Sequence, residues 1–270
     1  MNIRSFKDTY IRCKPTIDKI INTVLSAPSS EARIYCRHID RMGAIIQYAY
    51  YISIMRKYID DPNSILLDWG GQYGHVAKLV EIFYPEIICY LHDKNEYYAT
   101  YWHEKLLVNK VLYGHGPTDS RRINLPDHQV DAVLSSGVLE HSHEYGVSEY
   151  EALSEINRVL KYNGMLFIWN LPFKYGSVEI LNHLIGRWHH DRRYTKKEIM
   201  TLLGDSGFDI IFFDHHELMN MMARNMIGNI IGHSNAFIVD YYLSKLPMVN
   251  LIAQHFTIVA RKKTELISCL

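Results

Sequence analysis

The sequence predicts a doubly wound α/β fold with helical additions, and three observations carry that expectation. Short apolar runs alternate with amphipathic helical stretches from residue 63 onward. The first run, SILLDW, ends in an acid and passes into Gly70-Gly71, as a buried parallel strand does on entering a tight turn. The next, IICYLHD, ends in a second acid about 20 residues beyond those glycines.

Residues 1–62 read as an N-terminal helical segment, because IDKIINTVL and EARIYCRHIDRMGAIIQYAYYISIMRKYI keep apolar residues at helical spacing up to the breaker Asp61-Pro62-Asn63. After SILLDW, HVAKLVEIF reads as a helix, IICYLHD as a strand, EYYATYWHEKLL as a helix, and KVLYG and VDAVLSS as strands. YEALSEINRVLK reads as an amphipathic helix stopped by Asn163-Gly164, followed by the strand MLFIWN. TKKEIMTLLGDSG is a Thr-capped helix, and FDIIFFD and HFTIVARK close a domain expected over 63–262. Two insertions interrupt it: 172–194, and the Met- and Asn-rich 215–253, which is too long for a turn and is expected to form a helical cap. Residues 263–270 remain as a tail.

Composition narrows the function. The 270 residues are 48% apolar and 21% charged, enough to build one large core. Lys plus Arg and Asp plus Glu both number 29, which removes the general attraction that grips nucleic acid, so none is expected as partner. No stretch reads as a secretory signal or a membrane span, which points to a cytoplasmic protein. The Met-rich run LMNMMARNMIGNII fits buried cap core, an apolar lid, a homodimer contact or peripheral contact with a membrane, so monomer and homodimer both stay open.

The chemistry starts at ILLDWGGQYG. A dinucleotide fingerprint G-x-G-x-x-G counted from Gly70 would need glycines where Gln72 and His75 stand. Asp68 beside the turn repels a pyrophosphate and suits a cationic ligand, and no GxxxxGK[ST] phosphate loop occurs. Asp93, at the end of the second run, is placed to accept both hydroxyl protons of a ribose.

Taken in order, ILLDWGGQYG, NLPDHQVDAVLSSGVLEH, INRVLKYNGMLFI and TKKEIMTLLGDSGFDII followed by HFTIVARK resemble the class I S-adenosylmethionine-dependent methyltransferases, in the broad small-molecule branch that includes quinone-biosynthesis enzymes. The glycine motif follows that family's acid-x-Gly-x-Gly-x-Gly at Asp68, Gly70 and Gly74 and departs from it at Gln72. The resemblance implies a Rossmann-like seven-stranded sheet with an antiparallel last strand. It also implies S-adenosylmethionine as cofactor, S-adenosylhomocysteine as product, and in-line methyl transfer to a small-molecule, sugar or lipid-like acceptor. On it, Gly70, Gly71 and Gly74 admit the methionine moiety, Asp68 orders the turn or meets its ammonium, and Asp93 holds the ribose. Lys94 and Asn95 line the adenosine pocket, Asp119 or Ser120 meets the adenine amino group, and Ser136, Gly137 and Val138 lie beneath the sulfonium.

A hydroxyl acceptor needs a base, and His141 in SGVLEH is the candidate, since an imidazole titrates near pH ~6.5. Rivals are His143 and Glu144 just downstream, and His189, His190, Asp191 and Tyr194 in the first insertion. His141-x-His143 and His189-His190 lack further ligands at metal-site spacing, so no metal is expected. Asn170-Leu171-Pro172-Phe173 reads as a turn at the end of a strand. Two other function classes share such a fold. One is a non-catalytic methyltransferase-like scaffold, which the break at Gln72 permits and the two acids oppose. The other is an NAD-dependent oxidoreductase, which the failed fingerprint disfavours.

Overall fold

The computed structural model describes residues 1–26, 38–71, 73–93, 111–113, 122–187 and 189–264. Its first element is set by its cap: Asn2 Oδ1 accepts the Ser5 N–H at 3.0 Å and opens α1 (Ile3–Leu25). Phe6, Thr9, Cys13, Ile17, Ile20 and Val24 recur at three- and four-residue steps and form its buried stripe. That stripe packs on α3 (Gln47–Met55), which follows the single turn α2 (Met42–Ile45) and is buried along its whole length.

The chain then alternates as βα units: β1 (Ile65–Trp69), α4 (His75–Val80), β2 (Ile88–His92), β3 (Val111–Tyr113), β4 (Val130–Ser136), a 3-10 helix (Leu139–Tyr145), α5 (Glu149–Val159) and β5 (Leu160–Pro172). The first insertion carries α6 (Ser177–Leu184). After it come α7 (Lys196–Asp205), β6 (Phe208–His216), α8 (Met221–Ile231), α9 (His233–Leu243), α10 (Pro247–Asn250) and β7 (His255–Lys262). Ser148 with Glu151 and Thr195 with Glu198 form reciprocal capping boxes that start α5 and α7.

The sheet order is β3-β2-β1-β4-β5-β7-β6: six strands of five residues or more, and the three-residue β3 at one edge. β1 runs parallel to β2 and β4, while β7 lies antiparallel between β5 and β6, so the antiparallel last strand stands as expected. Successive side chains point to opposite faces. Leu66, Leu134 and Phe167 therefore join a core with the N-terminal helices, whereas Leu67, Val133 and Leu166 join one with α5 and α7. The connection reverses between β1 and β4, which opens a crevice at their carboxyl ends.

Three readings of the sequence need correction. α5 stops at Val159, before Asn163-Gly164, and the chain enters β5 at once, with Asn163 at φ 62° inside the strand. Leu160 ends the helix by turning to extended backbone while Asn157 and Arg158 are held by neighbouring loops, so no glycine stop is needed. Asn170-Leu171-Pro172 belongs to β5 rather than to a turn; Asn170, at φ 57°, sits where the pairing to β7 shifts register. β6 likewise runs through His216, into the stretch expected to be cap. The expected helix EYYATYWHEKLL lies outside the described residues. Among the described residues, no helix is long and apolar enough to cross a membrane.

Candidate functional site

At the carboxyl end of β1 the turn is built by glycines that no other residue replaces easily. Gly70 and Gly74 take φ of 75° and 66°, the left-handed region. The Gly70 N–H donates to the His92 carbonyl at 2.7 Å and so ties this turn to the end of β2. A Cβ on Gly70 would come within 2.5 Å of Val138, and one on Gly71 within 2.6 Å of Asp68 Cγ and of Leu91 Cδ1. Gly70 is thus packed against Val138, and Gly71 against Asp68 and Leu91.

Asp68 is 1% exposed, and its Oδ2 has no hydrogen-bond partner among the described residues. Burial, with the charge of Asp93 added, pushes its carboxyl up to about 7. Asp93 directly follows β2 and is half-buried. The two acids expected to meet the cofactor therefore lie on adjacent strands, close enough to repel. An uncompensated buried carboxylate costs stability unless a ligand supplies the missing donors.

Ser136 ends β4, and Gly137 and Val138 follow it, with Gly137 at φ 65° and its N–H donating to the Trp169 carbonyl at 2.9 Å. From the N-terminal segment, Tyr51 Oη donates to Asn170 Oδ1 at 2.5 Å, and Asn170 Nδ2 donates to Ser136 Oγ at 3.5 Å. Residues from β4, β5 and α3 meet there, which sequence reading did not foresee. Lys94, Asn95, Asp119 and Ser120 lie outside the described residues.

One turn further, the structure brings together two of the residues expected to be catalytic and one more acid. Ligand atoms of Glu140, His141 and His190 lie within 4.8 Å of one another, and the two imidazole centroids are 5.4 Å apart. His141 Nδ1 contacts Glu144 Oε1 at 2.6 Å. His190 receives two contacts from Glu179, at Nδ1 and at the backbone N–H, both 2.9 Å. Glu140 is 2% exposed, neither of its oxygens has a hydrogen-bond partner among the described residues, and burial pushes its carboxyl up to about 7.

The insertion that carries His190 is pinned at both ends. Phe173 bridges Tyr194, whose N–H donates to the Pro172 carbonyl at 3.0 Å and whose carbonyl accepts from Lys174 N–H at 3.0 Å. Tyr194 itself is buried and donates to Glu149 Oε1 at 3.1 Å; burial and that acid push its phenol well above the ordinary range. His143 shares the 3-10 helix but stands outside the convergent trio, and exposed His189 pairs with His183 at 3.2 Å. Glu140 and Glu179 were not singled out from sequence. Glu140 had a signal, its place inside Leu-Glu-His; Glu179 had none, since only the fold brings it to His190.

Residues 67–168 match the family described as methyltransferase domain. That stretch is similar to a methyltransferase domain. The fold around this domain agrees. YcgJ from Bacillus subtilis is 16% identical, with a TM-score of 0.54 over 80% of this chain and 99% of that one. The [4+2]-cyclase SpnF is 17% identical, with a TM-score of 0.57 over 82% of each chain. The CurJ carbon methyltransferase is 14% identical, with a TM-score of 0.53 over 90% of this chain and 58% of that one. At such identities the likeness is one of fold, the Rossmann-like fold that these structures share. A search of curated proteins finds no match.

Proposed function

We propose that this chain binds S-adenosylmethionine at the carboxyl ends of β1, β2 and β4 and methylates a small-molecule, sugar or lipid-like acceptor. The observation that carries the reading is the buried Asp68 carboxylate, packed against Gly71 in the turn, with its Oδ2 lacking a hydrogen-bond partner among the described residues. That donor set fits a cationic amino-acid moiety and opposes a pyrophosphate. Asp68 and the Gly70, Gly71 and Gly74 turn would hold the methionine end, Asp93 the ribose, and Ser136, Gly137 and Val138 the floor. Once bound, S-adenosylmethionine supplies an electrophilic methyl group.

The chain's own task is then to position the acceptor and to take its proton. Glu144, as acceptor, fixes Nδ1–H on His141 and so leaves the lone pair of neutral His141 on Nε2, the form a general base needs. Glu179 does the same for His190. Tyr194, whose phenol stays neutral, positions Glu149 rather than acting as a base. Residues 63–262 would form the catalytic domain, with 1–62 and the insertions 172–194 and 215–253 shaping the acceptor pocket.

Incubation with methyl-labelled S-adenosylmethionine and a panel of hydroxyl, amine and carbon acceptors tests the reading. Label should pass to at least one acceptor class, and His141→Ala should lower turnover ~10²-fold or more while changing cofactor affinity little. Tight cofactor binding with no transfer to any acceptor would leave the scaffold reading in its place.

A further inference from the structure

We infer that Glu140, His141 and His190 form a binding site for one divalent transition-metal cation of the zinc or cobalt type. This goes against the expectation drawn from sequence, which saw two separate histidine pairs. Folding instead joins one histidine from each to a glutamate, across 50 residues of chain, with the ligand atoms within 4.8 Å of one another. Two imidazoles and one carboxylate are the three-ligand set that holds a tetrahedral or five-coordinate cation with a position open.

Two observations point to an ion rather than to an accidental cluster. Glu140 is nearly fully buried, and both of its carboxylate oxygens lack a hydrogen-bond partner among the described residues, although one of them lies within 4.8 Å of a nitrogen of each imidazole. A buried carboxylate in that condition is stable when a cation completes it. In addition, each histidine is backed by its own carboxylate at Nδ1: Glu144 at 2.6 Å for His141 and Glu179 at 2.9 Å for His190. Because a carboxylate only accepts, each Nδ1 carries the hydrogen and each Nε2 the lone pair. Carboxylate–histidine pairs of this kind orient metal ligands and raise their basicity. Glu179 is itself 5% exposed and also accepts the His190 backbone N–H, so this second layer is built into the fold.

Binding needs only a modest contraction, since atoms sharing one such ion at about 2.0–2.2 Å sit roughly 3–4 Å apart. The site lies one turn beyond Gly137, whose added Cβ would stand 3.8 Å from Glu140 Oε1. A cation there would occupy the Nε2 lone pair of His141 and so replace that residue as the base, lowering the pKa of an acceptor oxygen held in its open position, which narrows the acceptor to one bearing a hydroxyl or carboxylate. That role rests on the methyl-transfer reading; the binding itself does not.

The test uses tag-free, chelator-treated full-length protein with no cofactor or acceptor, so its outcome is separate from that of methyl transfer. Titration with Zn²⁺ followed by calorimetry should give one equivalent bound with a Kd below about 10 µM, and Co²⁺ should give visible d–d bands of a low-coordinate site. Glu140→Gln and His190→Ala should each weaken binding by about 100-fold or more, and Glu179→Gln by about 10–100-fold. Glu140→Gln removes an uncompensated buried charge and so should fold; His190→Gln replaces His190→Ala if the latter melts early. His183→Ala, which touches only the exposed His183–His189 pair, should bind as wild type. Absence of saturable binding below about 1 mM, or binding unchanged in Glu140→Gln and lost in His183→Ala, overturns the proposal.

Discussion

The carboxylate of Asp68 lies against the bare α-carbon of Gly71: a side chain of even one carbon there would stand 2.6 Å from Asp68 Cγ. Strand and turn are thus fitted to one another, around an acid whose Oδ2 has no donor among the described residues. Gly71→Ala should therefore weaken cofactor binding by at least ~10-fold and cost about 1–3 kcal/mol of stability, as overpacking does. Calorimetry and chemical denaturation check both halves.

Asp68 also gives the pH dependence a sign. Its folded-state carboxyl is raised from 3.8 to about 7, so its contribution to stability is full below pH ~4 and is lost as pH rises through about 7. The ligand's ammonium needs the ionised form, so affinity for S-adenosylmethionine should rise between pH 6 and 8 while the unliganded protein loses stability. In Asp68→Asn both slopes should flatten. Equal slopes in wild type and variant, by titration and thermal melts, would assign them to other groups.

The local part of this site was legible in the sequence because it is local. Asp68, its glycines and Asp93 are the ends of two neighbouring parallel strands, and strand ends with their turns are written in a few consecutive residues. The acceptor side was not legible. Glu179 reaches His190, and Tyr51 reaches Asn170, only through how α6 and α3 pack over the sheet. The stop placed at Asn163-Gly164 failed for a related reason: tertiary contacts from Asn157 and Arg158 end α5 four residues earlier. The fold class and the antiparallel last strand, which depend on the order of elements, were read correctly.

A buried ionic network fastens the cap to the N-terminal helices. Arg224 on α8 donates to Glu217 Oε1 at 2.7 Å, to Asp240 Oδ2 at 3.4 Å, to Gln47 Oε1 at 3.1 Å and to the Gly43 carbonyl at 2.7 Å. Burial alone would raise the Glu217 carboxyl, but the Arg224 charge and the His255 hydrogen bond outweigh it and hold it down. Arg224→Met should leave Glu217 and Asp240 without their arginine and cost about 3–5 kcal/mol in denaturant unfolding. A loss under 1 kcal/mol would show that water reaches the network.

Two buried histidines packed against the N-terminal helices make the fold sensitive to acid. Burial holds His216 down to about 4, and burial with nearby His38 holds His75 well below its usual range; both ring nitrogens of His75 lack hydrogen-bond partners among the described residues. Depressed bases contribute stability above pH 6.5 that is lost as pH falls through their folded-state values, roughly 3 kcal/mol for His216. His255 works the other way, since its bond to Glu217 outweighs burial and raises it. His75→Phe keeps the edge contact with Tyr48, 4.8 Å between centroids, without the titrating group. Its melting temperature relative to wild type should rise as pH drops from 7 to 5; an unchanged difference would place the acid lability elsewhere.

The central claim is that Asp68 and the glycine turn receive S-adenosylmethionine. Calorimetric titration of wild type and Asp68→Asn with S-adenosylmethionine, S-adenosylhomocysteine and NAD at pH 7.5 tests it most directly. The account predicts micromolar binding of both adenosyl compounds, about 8 kcal/mol, weakened at least ~10-fold in the variant, and no binding of NAD. Folded wild-type protein that binds neither adenosyl compound, or binds NAD more tightly than either, would contradict it.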